Sequence, residues 1–216
     1  MKMQRLRVRF TREDEIKFIS HLDIMRLWER ALRRAGIRIV YSEGFSPHPR
    51  LSLAAPLAVG VTGRSELLDV YTTDTVSPHW FTDAVNKQLP VGISILGVQQ
   101  ISVTVPSLQS QVRQADYRIE VERADGPEDI EYAIVSLLTL EKLPWYHERD
   151  TGKREYDLRE LVDNIKMESS DDERCMLAMV LRCGSNGSGR PEQVTLALGF
   201  KRYPLSISRT KLILGN

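Results

Sequence analysis

The chain has 216 residues, with 42% apolar and 27% charged side chains and a formal net charge of +1. This is room for one large or two small globular domains with a core that needs no disulfide or metal. It excludes a disordered chain, a collagen-like repeat and a disulfide scaffold. No apolar run approaches the ~20 residues that cross a bilayer. The start, Met1 to Arg7, enters alternating charge without an apolar stretch. A cytoplasmic location with no membrane partner is therefore expected. The charge is uneven: residues 1–50 carry twelve Lys and Arg against six Asp and Glu, or +6, and the rest carries 18 against 23, or −5. Such a gradient points to a nucleic-acid or acidic partner at one end, or to a solvated basic face.

Gln4 to Thr11 alternates, with Leu6, Val8 and Phe10 on one side and Arg5, Arg7 and Arg9 on the other. It predicts a half-buried strand with a basic outer face. Ser20 with Asp23 three residues on reads as a helix cap. Leu22, Met25, Trp28, Ala31, Leu32 and Ala35 keep helical spacing up to Gly36, so a helix is expected over 21–35. Strands are expected over 37–42, 51–61 and 66–72, with a turn-rich loop from Glu43 to Pro49. Ser77-Pro78 opens a second helix carrying Phe81, Val85 and Leu89. A strand over 93–101 closes the domain. Residues 104–114 are polar and nearly uncharged and read as a linker. Tyr117–Val121 then starts a second series. A helix follows over 125–138, then a strand near Trp145 and a polar excursion over 150–173. A long strand from Cys175 to Cys183, a helix from Pro191 to Leu198 and a strand from Leu205 to Leu214 complete it. The expected fold is α+β, two tandem ferredoxin-like (βαββαβ) halves. Their bounds are 1–103 for a basic N-terminal domain, 104–114 for the linker and 115–216 for the C-terminal domain.

The two cysteines, Cys175 and Cys183, sit eight apart on one strand face, about 26 Å at ~3.3 Å per residue. That spacing is too long for a disulfide within the strand, and two thiols without nearby histidines make a poor zinc site. They read as small buried side chains. Phosphate loops, dinucleotide fingerprints, His-Glu-x-x-His and Gly-x-Ser-x-Gly are all absent from the sequence. No metal and no cofactor is expected.

Two histidines are candidate catalytic residues. His21 lies in the first turn of the first helix, where the dipole opposes protonation and leaves a neutral imidazole able to act as a base. His48 lies between Pro47 and Pro49, after Gly44 and before Arg50. A restricted loop displaying Phe45, His48 and Arg50 suits base stacking and phosphate pairing. Arg26, Arg30 and Arg33 share the helix face opposite the apolar stripe. The expected binding set is Arg26, Arg30, Arg33, Gly44, Phe45, His48 and Arg50. Strand and helix lengths further predict that His21 meets the loop at one edge of the first domain.

The stretch from Phe18 to Gly36 and the loop Tyr41-Ser-Glu-Gly-Phe-Ser-Pro-His-Pro-Arg-Leu-Ser52 resemble a bacterial family of radical-SAM-linked proteins. Tyr156-Asp-Leu-Arg159, Arg190-Pro-Glu-Gln-Val194 and Ser208-Arg-Thr210 extend the resemblance over nearly the whole chain. It implies a protein encoded beside, or fused to, a radical SAM enzyme, in RNA or ribosome metabolism, with no catalytic residues to carry over. The function expected is an accessory RNA-binding or adaptor protein without catalysis of its own. A metal-independent endoribonuclease using His21 or His48 and a pure protein–protein adaptor stand as alternatives. The sequence leaves the oligomeric state open.

Overall fold

The computed structural model describes residues 3–149, 152–184 and 187–215. The chain divides into two compact units, Met1–Val112 with Leu214–Asn216, and Arg113–Ile213. Both mix helices with antiparallel strands.

The first unit runs β1 (Gln4–Arg12), α1 (His21–Arg34), β2 (Leu51–Leu53), β3 (Thr62–Thr72), α2 (Pro78–Asn86), β4 (Ile95–Ile101) and the short α3 (Leu108–Gln111). Its strand order is β2-β3-β1-β4, every neighbouring pair antiparallel. Helix α1 forms where its caps and stripe dictate. The Ser20 hydroxyl oxygen accepts from the Asp23 N–H and removes one orphan donor of the first turn. At the other end Gly36 takes a left-handed φ of 75°. There the Gly36 N–H donates to the Arg33 carbonyl and the Ile37 N–H to the Leu32 carbonyl. That pair of bonds closes the helix and needs a residue without a Cβ penalty. Ile24, Trp28, Ala31 and Leu32 face inward onto Leu6, Val8 and Phe10 of β1, with Phe81 and Val85 from α2 beside them. The Phe10 and Trp28 rings meet edge to face at 4.9 Å.

Two expected strands are shorter than the pattern suggested. Residues 37–42 form only isolated bridges, Ile39 to Thr72 and Tyr41 to Pro49. Strand β2 keeps three residues, because Pro49 precedes it, Pro56 follows it and neither can donate to a ladder. The basic outer face of β1 is also corrected. Arg5 is buried at 1% exposure and Arg12 at 3%. Arg5 and Arg7 both grip Asp69, which stands opposite Arg7 on β3. The Arg5 Nη2 lies 2.6 Å from Oδ2, and the Arg7 Nε lies 2.8 Å from Oδ1. The remaining Arg5 donors reach the Val105 and Pro106 carbonyls at 2.6 and 2.9 Å. Residues 104–114, read as a linker, thus cover the first sheet. Leu108 is fully buried, and Val112 already begins the next strand. Arg12 makes a second knot, donating to the Ile16, Lys17, Ile19 and Leu57 carbonyls.

The second unit runs β5 (Val112–Glu122), α4 (Ile130–Thr139), β6 (Pro144–Arg149), β7 (Gly152–Asp157), β8 (Val162–Ser170), β9 (Arg174–Gly184), β10 (Gly187–Ser188), α5 (Pro191–Ala197) and β11 (Ser206–Leu214). Its main order is β8-β9-β5-β11, with β6 and β7 a separate hairpin and β10 on the end of β9. Helix α4 begins later than expected because Asp129, not Asp125, caps it, accepting from the Tyr132 N–H. Cys175 and Cys183 are both buried and unbridged.

Removing Asp69 leaves two guanidiniums facing one another without an anion. Asp69→Ala is expected to destabilise the chain by about 3–5 kcal/mol, the usual cost of stripping one partner from a buried ion pair. Urea unfolding measures it. The paired change Arg5→Met with Asp69→Leu is expected to cost less than Asp69→Ala alone, since no buried Arg5 charge is stranded.

Candidate nucleic-acid interface

The exposed chemistry of the first unit gathers on α1 and on the loop that follows it. Arg26, Arg30 and Arg33 all lie on the solvent side of the helix. Arg26 faces Asp23 at 3.4 Å, and the Arg30 Nε donates to the Arg26 carbonyl. The Asp23 carboxyl is held below the usual carboxylate range, first by the Ser20 hydroxyl and then by Arg26.

The loop is a closed hairpin. Tyr41 bridges Pro49, the Ser42 N–H donates to the His48 carbonyl, and the His48 N–H donates to the Ser42 hydroxyl. Gly44 sits at φ 124°, a region that side chains avoid. Every residue from Tyr41 to His48 is exposed, and Phe45 projects wholly into solvent. At the base, the Arg50 guanidinium stacks on the Tyr71 ring at 4.6 Å. The Tyr41 hydroxyl donates to Glu29 Oε1 at 3.1 Å, which ties the loop to the middle of α1. Burial, and then the Glu29 carboxylate, push the Tyr41 phenol up.

The arginine stripe and the loop are therefore joined through Tyr41 and Glu29. His21, in the first turn of α1, lines a small, partly open cavity of about 10 Å³ with Phe10, Arg12, Leu53 and Glu66. Neither Phe45, His48 nor Arg50 lines that cavity. The chain turns into the hairpin after Tyr41, and Leu53, three positions beyond Arg50, lines the cavity beside His21. Tyr41 opens the loop motif but does not stand out within it, and Tyr71 is an isolated aromatic in β3, a weak signal. Among the described residues no group of three or more His, Cys, Asp or Glu side chains gathers to hold a metal ion.

The remaining motif residues are structural. Asp157 Oδ1 accepts from the Leu143 and Arg159 N–H groups, and the Arg159 guanidinium holds the Leu138 and Val162 carbonyls. Tyr156 bonds Gln193, and Arg209 is buried.

The strand orders define a mixed α+β protein of two compact units, each built on antiparallel strands. Residues 5–191 match the model of a family described as an uncharacterized protein conserved in bacteria (DUF2344), and the chain belongs to that family. No curated protein matches it. Among solved structures it is similar to a chain of a Cbf5-Nop10-Gar1 complex at 11% identity and a TM-score of 0.49, covering 94% of this chain and 48% of that one. It is similar at 11% identity and a TM-score of 0.48 to a chain of an archaeal box H/ACA sRNP Nop10-Cbf5 complex, covering 95% and 47%. An unknown protein from Galdieria sulphuraria matches at 14% identity and a TM-score of 0.28, covering 84% and 82%. The chain spans about half the length of the first two, and likenesses this distant carry neither an activity nor a partner across. No helix among the described residues is long and apolar enough to cross a membrane.

Glu29→Gln is expected to bring the Tyr41 phenol down toward its ordinary value, read by NMR of ring-labelled tyrosine. A raised folded pKa means the phenol favours folding while protonated. The loop-to-helix link is then fully present below the ordinary phenol range and is lost as pH rises through the folded value. In the wild type, amide exchange at Ser42 and His48 should quicken over that alkaline window.

Proposed function

We propose that the protein is an accessory RNA-binding protein that presents single-stranded RNA to a partner enzyme and does no chemistry itself. The carrying observation is the continuous surface of α1 and the hairpin. Three exposed guanidiniums, a braced Arg50 and an outward Phe45 and His48 stand on elements joined by the Tyr41–Glu29 bond. Single-strand recognition pairs cations for the backbone with an aromatic for the bases, and this surface offers both. The open face of the first sheet is not free for stacking bases, because Arg5, Asp69 and residues 105–106 occupy it. Recognition falls to the helix and loop instead.

The fold reading goes with it. Both units follow the βαββαβ series with the strand order of a ferredoxin-like sheet, β2-β3-β1-β4 and β8-β9-β5-β11. We read the chain as two tandem ferredoxin-like halves, the second carrying the β6–β7 hairpin as an insertion. The class of the partner, a radical SAM enzyme, rests on the sequence resemblance alone. The ribonuclease reading has less support: the cavity at His21 has room for about one water and not for a nucleotide.

Fluorescence anisotropy with a labelled single-stranded RNA tests the proposal. Replacing Arg26, Arg30 and Arg33 together by Ala should weaken binding and flatten the salt slope by roughly 0.7 for each phosphate no longer neutralised. Phe45→Ala should cost about 1–3 kcal/mol with the salt slope unchanged, as expected of a stacked base. An unaltered slope in the triple variant would leave the α1 face merely solvated and defeat the reading.

A further inference from the structure

Helix α4 of the second unit is apolar nearly all the way round. Ile130, Ile134 and Leu137 are buried, as a surface helix requires. Tyr132 and Val135 nevertheless face solvent at 71% and 59% exposure. Leu140, just past the helix, and Leu196 of α5 are exposed as well. A groove of about 490 Å³ runs along this surface, lined by Tyr132, Ala133, Leu137, Leu140, Leu143 and Ala197 among others. Contiguous exposed apolar side chains in a groove mark a docking surface, whereas scattered ones do not.

Both charged side chains that line the groove, Glu128 and Asp129, are acidic, and the nearest cation along the chain is the exposed Lys142 beside Leu143. From Ala124 to Glu141 the sequence holds five carboxylates, Asp125, Glu128, Asp129, Glu131 and Glu141, and no Lys or Arg. Glu128, Asp129, Glu131 and Glu141 are exposed. Asp125 faces Arg202, and the Arg123 guanidinium is spent on the Pro127 and Glu128 carbonyls. An acidic rim around an apolar floor selects against RNA and against an anionic segment.

From this we infer that the α4 groove docks a basic amphipathic helix of a protein partner, its apolar side on Tyr132, Leu140 and Leu143 and its cations against Glu128 and Asp129. Helix-in-groove docking needs apolar anchors at i, i+3 or i+4, and i+7. The ten-residue α4 offers a floor about 15 Å long at 1.5 Å per residue, enough for such a set. The inference does not depend on RNA binding, which is placed on the other unit.

The test uses the full chain and two synthetic helical peptides with the same leucine face, one flanked by lysines and the other by glutamates, followed by calorimetry. The lysine peptide should bind and the glutamate peptide should not. Leu140→Lys should weaken the lysine peptide by about tenfold or more, as removal of one buried anchor does. Glu128→Gln should weaken it and reduce its salt dependence. Thermal melts of each variant confirm that the fold is intact, and Tyr132→Ala serves as the second variant should Leu140→Lys not fold. Equal binding of both peptides, or of neither, overturns the inference. So does a dimer in sedimentation that Leu140→Lys dissociates, since a second copy then covers the face. Unchanged RNA affinity in Leu140→Lys separates this outcome from any failure of the RNA reading.

Discussion

The first unit is organised around one buried carboxylate. Asp69 is the only anion within bonding reach of Arg5 and Arg7 among the described residues, and it lies on β3 on their face of the sheet, opposite the core under α1. Burying a guanidinium is tolerable only when its donors are met, and here Asp69 and two backbone carbonyls meet those of Arg5. The arrangement sets the register of β1 against β3, because a shift of one residue would turn both arginines into the apolar layer under α1. It also recruits residues 105–106 to the sheet. Gln111, at the end of the same stretch, adds a second tie to β1 by accepting from the Arg7 guanidinium at 3.4 Å.

Arginines in this unit thus divide into two groups with opposite tasks. Arg5 and Arg12 are fully engaged inside, one on a carboxylate and the other chiefly on carbonyls of the turn before α1. Arg26, Arg30 and Arg33 stay in water. Counting positive charge over residues 1–50 therefore overstates what a polyanion would meet. The useful charge is the part carried by α1 and by Arg50, whose guanidinium is held flat on Tyr71 and loses little freedom on pairing with a phosphate.

Much of the fold was legible in the sequence, and the reasons are local. Ser20, the apolar stripe from Ile24 to Leu32 and Gly36 bound α1 to within a residue, since caps and periodicity act over single turns. Alternation exposed β1, β5 and β9 because each has one face in a core. The failures are all long-range. Nothing near Arg5 in the chain announces Asp69, sixty-four positions away, so an alternating cation looked like a solvated one. Strand content around Pro49 and Pro56 was overestimated because apolar composition was allowed to outweigh the missing donors. Of the candidate site, the arginine face and the loop were legible as chemistry. The Tyr41–Glu29 bond that joins them was not.

The bonds from Arg5 to Val105 and Pro106 span about one hundred residues. During synthesis, β1, β3 and β4 leave the ribosome before those carbonyls do, so the sheet can pair while its buried charge is only half covered. A nascent chain that has emerged as far as β4 holds the ladder of the first unit but still hydrates one side of Arg5. Full coverage of Arg5 therefore waits for residues 105–106, and a ribosome that slows there prolongs the interval in which that face of β1 stays open to water.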